Sequence, residues 1–208
     1  QISDSVRMIK DQIMITAYDL FAQNGIKSVS MDDIARSMGI SKRTIYEFYT
    51  DKEDLLCRGI VYTYNRFKKL LSTYELESET VIEAILGFYH ELIKHPKCYN
   101  KKFYADLKRY PRAMQIESLY KSEFSETCRR LFDRGVKEGV FLSEINFELV
   151  TLIANKHINM LEPSKAFSSH SLVEIYSTVV YLFLRGISTD KGQEIIRHYA
   201  LTSKVFHS

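Results

Sequence analysis

Apolar residues return every three or four positions along almost the whole chain, and no stretch alternates apolar and polar residues as a strand would. That spacing is the helical period. The chain holds only 3 prolines and 8 glycines, most of them where the period breaks. The pattern predicts an all-α fold of about nine to ten helices, near residues 4–24, 31–38, 42–48, 51–74, 79–94, 98–109, 112–138, 146–161, 170–187 and 191–203. In the first, Ile9, Ile13, Ala17, Leu20 and Phe21 share a face, and Asn24-Gly25 is a stop. Pro96 and Pro111 sit at helix starts, where a missing N–H costs nothing. The expected organisation is a small three-helix head, residues 1–50, and a larger helical body, residues 51–208, joined through the helix at 51–74.

The segment 31–48 carries the most specific pattern. Two short helices crossing at a sharp angle need apolar contacts at set places, a small residue where they approach and a glycine in the turn. The sequence supplies Ile34, Met38, Ile40, Ile45 and Phe48, with Ala35 and Gly39 at the two special positions. Gly39 can adopt a left-handed backbone that a Cβ would penalise. Ser30 with Asp33, and Thr50 with Glu53, have capping-box spacing, and Ser41 is a natural cap between them. This is the pattern of a helix-turn-helix.

With Ile45 and Phe48 inward, Lys42, Arg43, Thr44, Tyr46 and Glu47 are left outward or at the edge. Such a helix can enter the major groove of double-stranded DNA. Arg43 is the candidate for reading a base, because a guanidinium can bond guanine O6 and N7 together. Lys42, Thr44 and Tyr46 are candidates for phosphate contacts, which fix register. Ser30 and Lys52 sit at helix starts, where backbone N–H groups attract phosphate. Glu47 either accepts from a cytosine amine or faces water. The alternative is a purely structural helix corner whose Lys-Arg pair is a solvated face.

Charge adds little to that choice. The net charge is +3, and through residue 74 eleven cations meet nine acids. The hydrophobic share of 45% is enough for a core. Cys57, Cys98 and Cys128 are odd in number and scattered, which fits a reducing compartment. The amino terminus is charged, unlike a secretory leader, and starting at Gln1 suggests that a few native residues precede it. The greasiest run, near 179–184, is far shorter than the roughly 20 residues of a membrane span. A cytoplasmic location is expected.

Residues 17–56, AYDLFAQNGIKSVSMDDIARSMGISKRTIYEFYTDKEDLL, resemble the tetracycline-repressor (TetR) family of bacterial regulators. The match follows that family's LFAxxG, then TSxxDIAxxAGVSKGTLYxxF, then SKExL. It is specific over about residues 5–60, and GVKEGVF (135–141) also resembles a turn of that family. The resemblance puts DNA-facing positions on Ser30, Ser41, Lys42, Arg43, Thr44, Tyr46 and Lys52. Arg43 stands where the family often has glycine, and Tyr49 where it has phenylalanine. The resemblance also implies a homodimer, a palindromic operator and a small-molecule pocket in the body.

The body is consistent with that. The 170–187 helix is apolar nearly all round, so a second subunit is expected to cover part of it, with the 146–161 helix beside it. Tyr89, Phe103 and His157 are candidate contacts for a partly apolar effector, although each also reads as a core or interface residue. No cofactor is expected. There is no GxSxG, HExxH or phosphate-cradling glycine loop, and the 6 histidines show no metal-ligand spacing. Function thus narrows to a ligand-responsive repressor or to a DNA-binding protein that answers to a protein partner or to nothing. An enzyme is a distant third.

Overall fold

The computed structural model of the chain describes residues 2–93, 101–160 and 172–202. Within them it forms ten helices: α1 (Ile2–Asn24), α2 (Met31–Met38), α3 (Lys42–Tyr46), α4 (Lys52–Glu77), α5 (Val81–Ile93), α6 (Lys101–Leu107), α7 (Pro111–Lys137), α8 (Phe147–Met160), α9 (Leu172–Ile187) and α10 (Asp190–Thr202). The only extended pairing among the described residues is an isolated bridge between Phe141 and Ser188. None of these helices is long and apolar enough to cross a membrane.

The helices gather into two compact units, Gln1–Arg66 with Lys97–Ser122, and Phe67–Pro96 with Glu123–Ser208. Helices α4 and α7 each contribute a first part to one unit and a second part to the other. In the first unit the amphipathic spacing of α1 buries Ile13, Ala17 and Phe21 against Ile34, Ile45, Leu55, Leu56 and Ile60. Phe103 and Leu107 of α6 close the same core. Gly25, at φ +86°, ends α1. The amide of Lys27 in the following turn donates to Asp106 Oδ2 at 2.7 Å, which ties that turn to α6.

The second unit is built on Val81, Ile82, Leu86 and Phe88 of α5, which pack with Leu131, Phe132, Phe141, Leu184 and Ile196. Thr80 and Glu83 make the reciprocal cap that starts α5. Gly139, at φ +71°, ends α7. The chain then pairs with the end of α9 through Leu142 N–H to Ile187 O at 2.9 Å and Thr189 N–H to Val140 O at 3.0 Å.

Two local expectations change. Helix α3 closes at Tyr46 rather than residue 48, because Phe48 N–H turns back to Ile45 O, a tightened last turn. Helix α4 is capped by Asp51, whose Oδ1 accepts from Asp54 N–H at 2.7 Å, and not by a Thr50–Glu53 box. The Glu53 carboxylate is engaged instead at the start of α7, where Arg112 N–H donates to it at 2.8 Å.

Candidate nucleic-acid interface

The α2–turn–α3 pair is held from inside by Ile34, Ala35 and Ile45, at 0%, 6% and 0% exposure, with Met38, Ile40 and Phe48 partly buried against the same core. The turn is made at Gly39, φ +65°, in the left-handed region. Its amide and that of Ile40 return to carbonyls of α2 (Gly39 N–H to Arg36 O, Ile40 N–H to Ala35 O), which closes the helix end.

The outer face of α3 is the exposed one. Arg43 is the freest of its side chains, 91% exposed, with its Nε 3.9 Å from Glu47 Oε1. Tyr46 is 48% exposed. Ser41 Oγ accepts from Thr44 N–H at 3.1 Å, and the two hydroxyls lie 2.9 Å apart. One hydroxyl proton joins the pair, so the other is left to face outward.

Ser30 is arranged differently. Its N–H and its Oγ both donate to Asp33 Oδ2, at 2.9 and 2.6 Å, while Asp33 N–H donates to Ser30 Oγ. These bonds from Ser30 hold the Asp33 carboxyl below its usual range. The Ser30 hydroxyl therefore has its proton spent within the capping box, and α2 carries its own anion at its amino-terminal end. Lys42 is also engaged: Nζ donates to Asp32 Oδ2 at 2.8 Å, and this bond raises the lysine's affinity for its proton. Lys52 lies at the first position of α4 with Nζ 5.6 Å above the Phe21 ring. Burial there pulls its pKa below the ordinary lysine value, and the carboxylates of Asp106 and Asp33 partly offset the effect.

The acids facing these cations are what the sequence reading missed. Asp32 meets Lys42 across a turn, ten residues away, and no local spacing rule announces that pair. Asp33 also holds Arg36 at 3.2 Å. Lys42 can bond a phosphate only by giving up its bond to Asp32.

The body candidates fall in different units. Phe103 is 5% exposed in the first unit's core, with its ring edge-on to Tyr18 at 5.5 Å between centroids. Tyr89 belongs to the second unit, packed edge-on to Phe88 at 5.5 Å, and burial pushes its hydroxyl well above the ordinary tyrosine range. His157 falls on α8, but its side chain lies outside the described residues. Among the described residues no cluster of three His, Cys, Asp or Glu is placed to hold a metal ion.

Residues 13–58 match the model of the bacterial regulatory proteins of the tetR family. The chain is 25% identical over 146 residues to the HTH-type transcriptional repressor KstR2 of Rhodococcus jostii, covering 67% of this chain and 71% of that one. It is 27% identical over 132 residues to the negative transcriptional regulator IcaR of the biofilm operon icaADBC of Staphylococcus epidermidis, covering 62% and 68%. A TetR-family transcriptional regulator from Agrobacterium tumefaciens shares the fold with a TM-score of 0.73, at 15% identity over 88% of this chain and 100% of that one. The helix-turn-helix geometry, the matched segment and the shared fold agree: residues 13–58 are a DNA-binding segment of the tetR family of bacterial regulatory proteins, and that match together with the relatives supports a TetR-family transcriptional regulator.

Proposed function

We propose that this regulator is a repressor that binds a palindromic operator as a homodimer and is released by a partly apolar small molecule. The observation that carries the DNA half is the exposure of Arg43 on a helix whose opposite side, at Ile45, is fully buried. A side chain so presented can reach a base edge, with Lys42, Thr44, Tyr46, Ser41 and Lys52 around it for the phosphates. Ser30 would reach a phosphate only by turning its hydroxyl away from Asp33. Repression is supported by KstR2 and IcaR, named as a repressor and a negative regulator.

The homodimer is supported by the body. Leu149 and Leu152 of α8 and Leu182 of α9 stand 54%, 58% and 63% exposed, an unusual position for leucine on neighbouring helices. A second copy covering them would set the reach between two α3 helices, which half-sites about 34 Å apart require. An effector would act by preferring one separation of the heads, and could shift binding only by its differential affinity for the two shapes. Regulators rather than enzymes fill the set of relatives above, so no catalytic role is proposed. The cytoplasm, where the operator lies, is the proposed location.

The test is selection of bound duplexes from a randomised pool by the wild-type chain and by Arg43→Ala. An inverted repeat should emerge with the wild type, and the variant should lose preference at one position of each half, a cost of about 1–3 kcal/mol. A pool without enrichment would overturn operator binding. Unchanged preference in the variant would overturn the role of Arg43.

A further inference from the structure

We infer that Asp32 restrains this protein's affinity for DNA: by neutralising Lys42 across the α2–α3 turn it weakens attraction to the backbone of duplexes of any sequence. The inference rests on the reading that α3 faces the duplex. Phosphate binding draws its free energy from counterions released when protein cations replace them. A cation already paired within the protein releases fewer. Lys42 Nζ is 2.8 Å from Asp32 Oδ2, with the two side chains 45% and 58% exposed, so the pair stands at the surface where a phosphate would arrive. If the ammonium turns to a phosphate, the Asp32 carboxylate is left beside the polyanion. If it stays, the phosphate meets a neutral pair.

Folding accounts for Asp32 only through the modest gain of an acid in the first turn of α2. An exposed ion pair contributes little to stability. The start of α2 is already capped by Asp33 through Ser30. Arg36 is held by Asp33 at 3.2 Å as well. Against these paired neighbours Arg43, with its nearest acid atom 3.9 Å away, is the loosest cation of the helix-turn-helix, and it carries the planar fork suited to guanine. The surface is thus built to hold backbone attraction low beside a side chain able to read bases.

The test uses the full chain with Asp32→Asn, Lys42→Met and the double variant, titrated against a labelled duplex of mixed sequence and against the tightest duplex recovered by selection, over a series of KCl concentrations. Asp32→Asn should bind the mixed duplex about two- to fivefold tighter. It should steepen the dependence of log K on log salt by about 0.9, one more counterion released. It should bind the selected duplex tighter by a similar factor, because a phosphate contact is independent of sequence. None of this should occur when Lys42→Met is also present. An unchanged affinity and salt slope would overturn the inference. So would an equal gain in the Lys42→Met background, because Asp32 would then be only a general negative charge. Asp32→Ser, another residue suited to a helix start, serves if the asparagine variant does not fold. Wild-type binding to any duplex tests the underlying reading separately.

Discussion

Glu53 and Arg112, 59 positions apart, are joined twice: Glu53 Oε1 accepts from Arg112 N–H at 2.8 Å and Oε2 from its Nε at 3.2 Å. The same Oε1 takes the Ala113 N–H at 3.4 Å. One carboxylate at the start of α4 therefore satisfies two orphan amides at the start of α7. Asp51, already the cap of α4, receives Arg112 Nη2 at 3.0 Å. Removing Glu53 leaves those amides to water and the guanidinium half-served.

Glu53→Ala is expected to cost about 1–2 kcal/mol of stability, the scale of a lost charged cap. Chemical denaturation of the purified chain measures it. A midpoint equal to wild type would show that water replaces the carboxylate without cost.

A second prediction concerns pH. Tyr49 is 2% exposed and donates its hydroxyl to Lys10 O at 2.8 Å. Burial pushes its pKa up to about 12, against a smaller opposite pull from the Arg58 guanidinium. The folded state thus keeps this proton where the unfolded chain, near pH 10, releases it. The contribution is complete below about pH 10 and is lost as pH rises toward about 12. Tyr49→Phe should be less stable by about 1 kcal/mol at neutral pH. That deficit should shrink as the solution is made alkaline. A deficit constant with pH would remove Tyr49 from the alkaline transition.

How much of this was readable beforehand depends on chain distance. Ser30 with Asp33, Ser41 with Thr44, and the turn at Gly39 are local, and their spacing announced them. The cap of α4 was misassigned because Thr50–Glu53 and Asp51–Asp54 have the same spacing. Glu53 is instead taken up by the Arg112 and Ala113 amides, far along the chain. The Asp32–Lys42 pair crosses a turn and left no periodic trace. Phe103 and Tyr89 were equally ambiguous, since an apolar stripe looks the same whether it lines a core or a pocket. The helix-turn-helix was legible because its determinants lie within a few residues of each other.

Gly59 offers a packing test. A Cβ built there would clash with Cδ2, Cγ and Cβ of Tyr18. Gly59→Ala should cost about 1–3 kcal/mol through overpacking between α1 and α4. At Gly39 a Cβ meets nothing within 4 Å, so Gly39→Ala should cost only the left-handed backbone penalty, about 1–2 kcal/mol. Thermal melts of both variants would separate the mechanisms. Tyr18→Ala should relieve the first only in part, because alanine keeps the Cβ that lies 2.8 Å from the added one, and should leave the second unchanged.

The proposed dimer has its own variant. Leu182→Glu puts a charge on a side chain 63% exposed, which a monomer tolerates and a buried interface does not. Sedimentation should show the wild type as a dimer and the variant as a monomer with unchanged helical content. A wild-type monomer at working concentration, or a variant that still pairs, would remove α9 from the interface.

The carboxylate of Asp106 reaches back to the turn ahead of α2, and its consequence is practical. The segment recognisable by family, residues 13–58, is not self-sufficient: an amide at Lys27 and a carboxylate at Glu53 find their partners in residues 106, 112 and 113. A chimaera that transplants that segment alone would carry two severed attachments to its new host, while one that also brings α6 and the first turn of α7 would arrive with them intact.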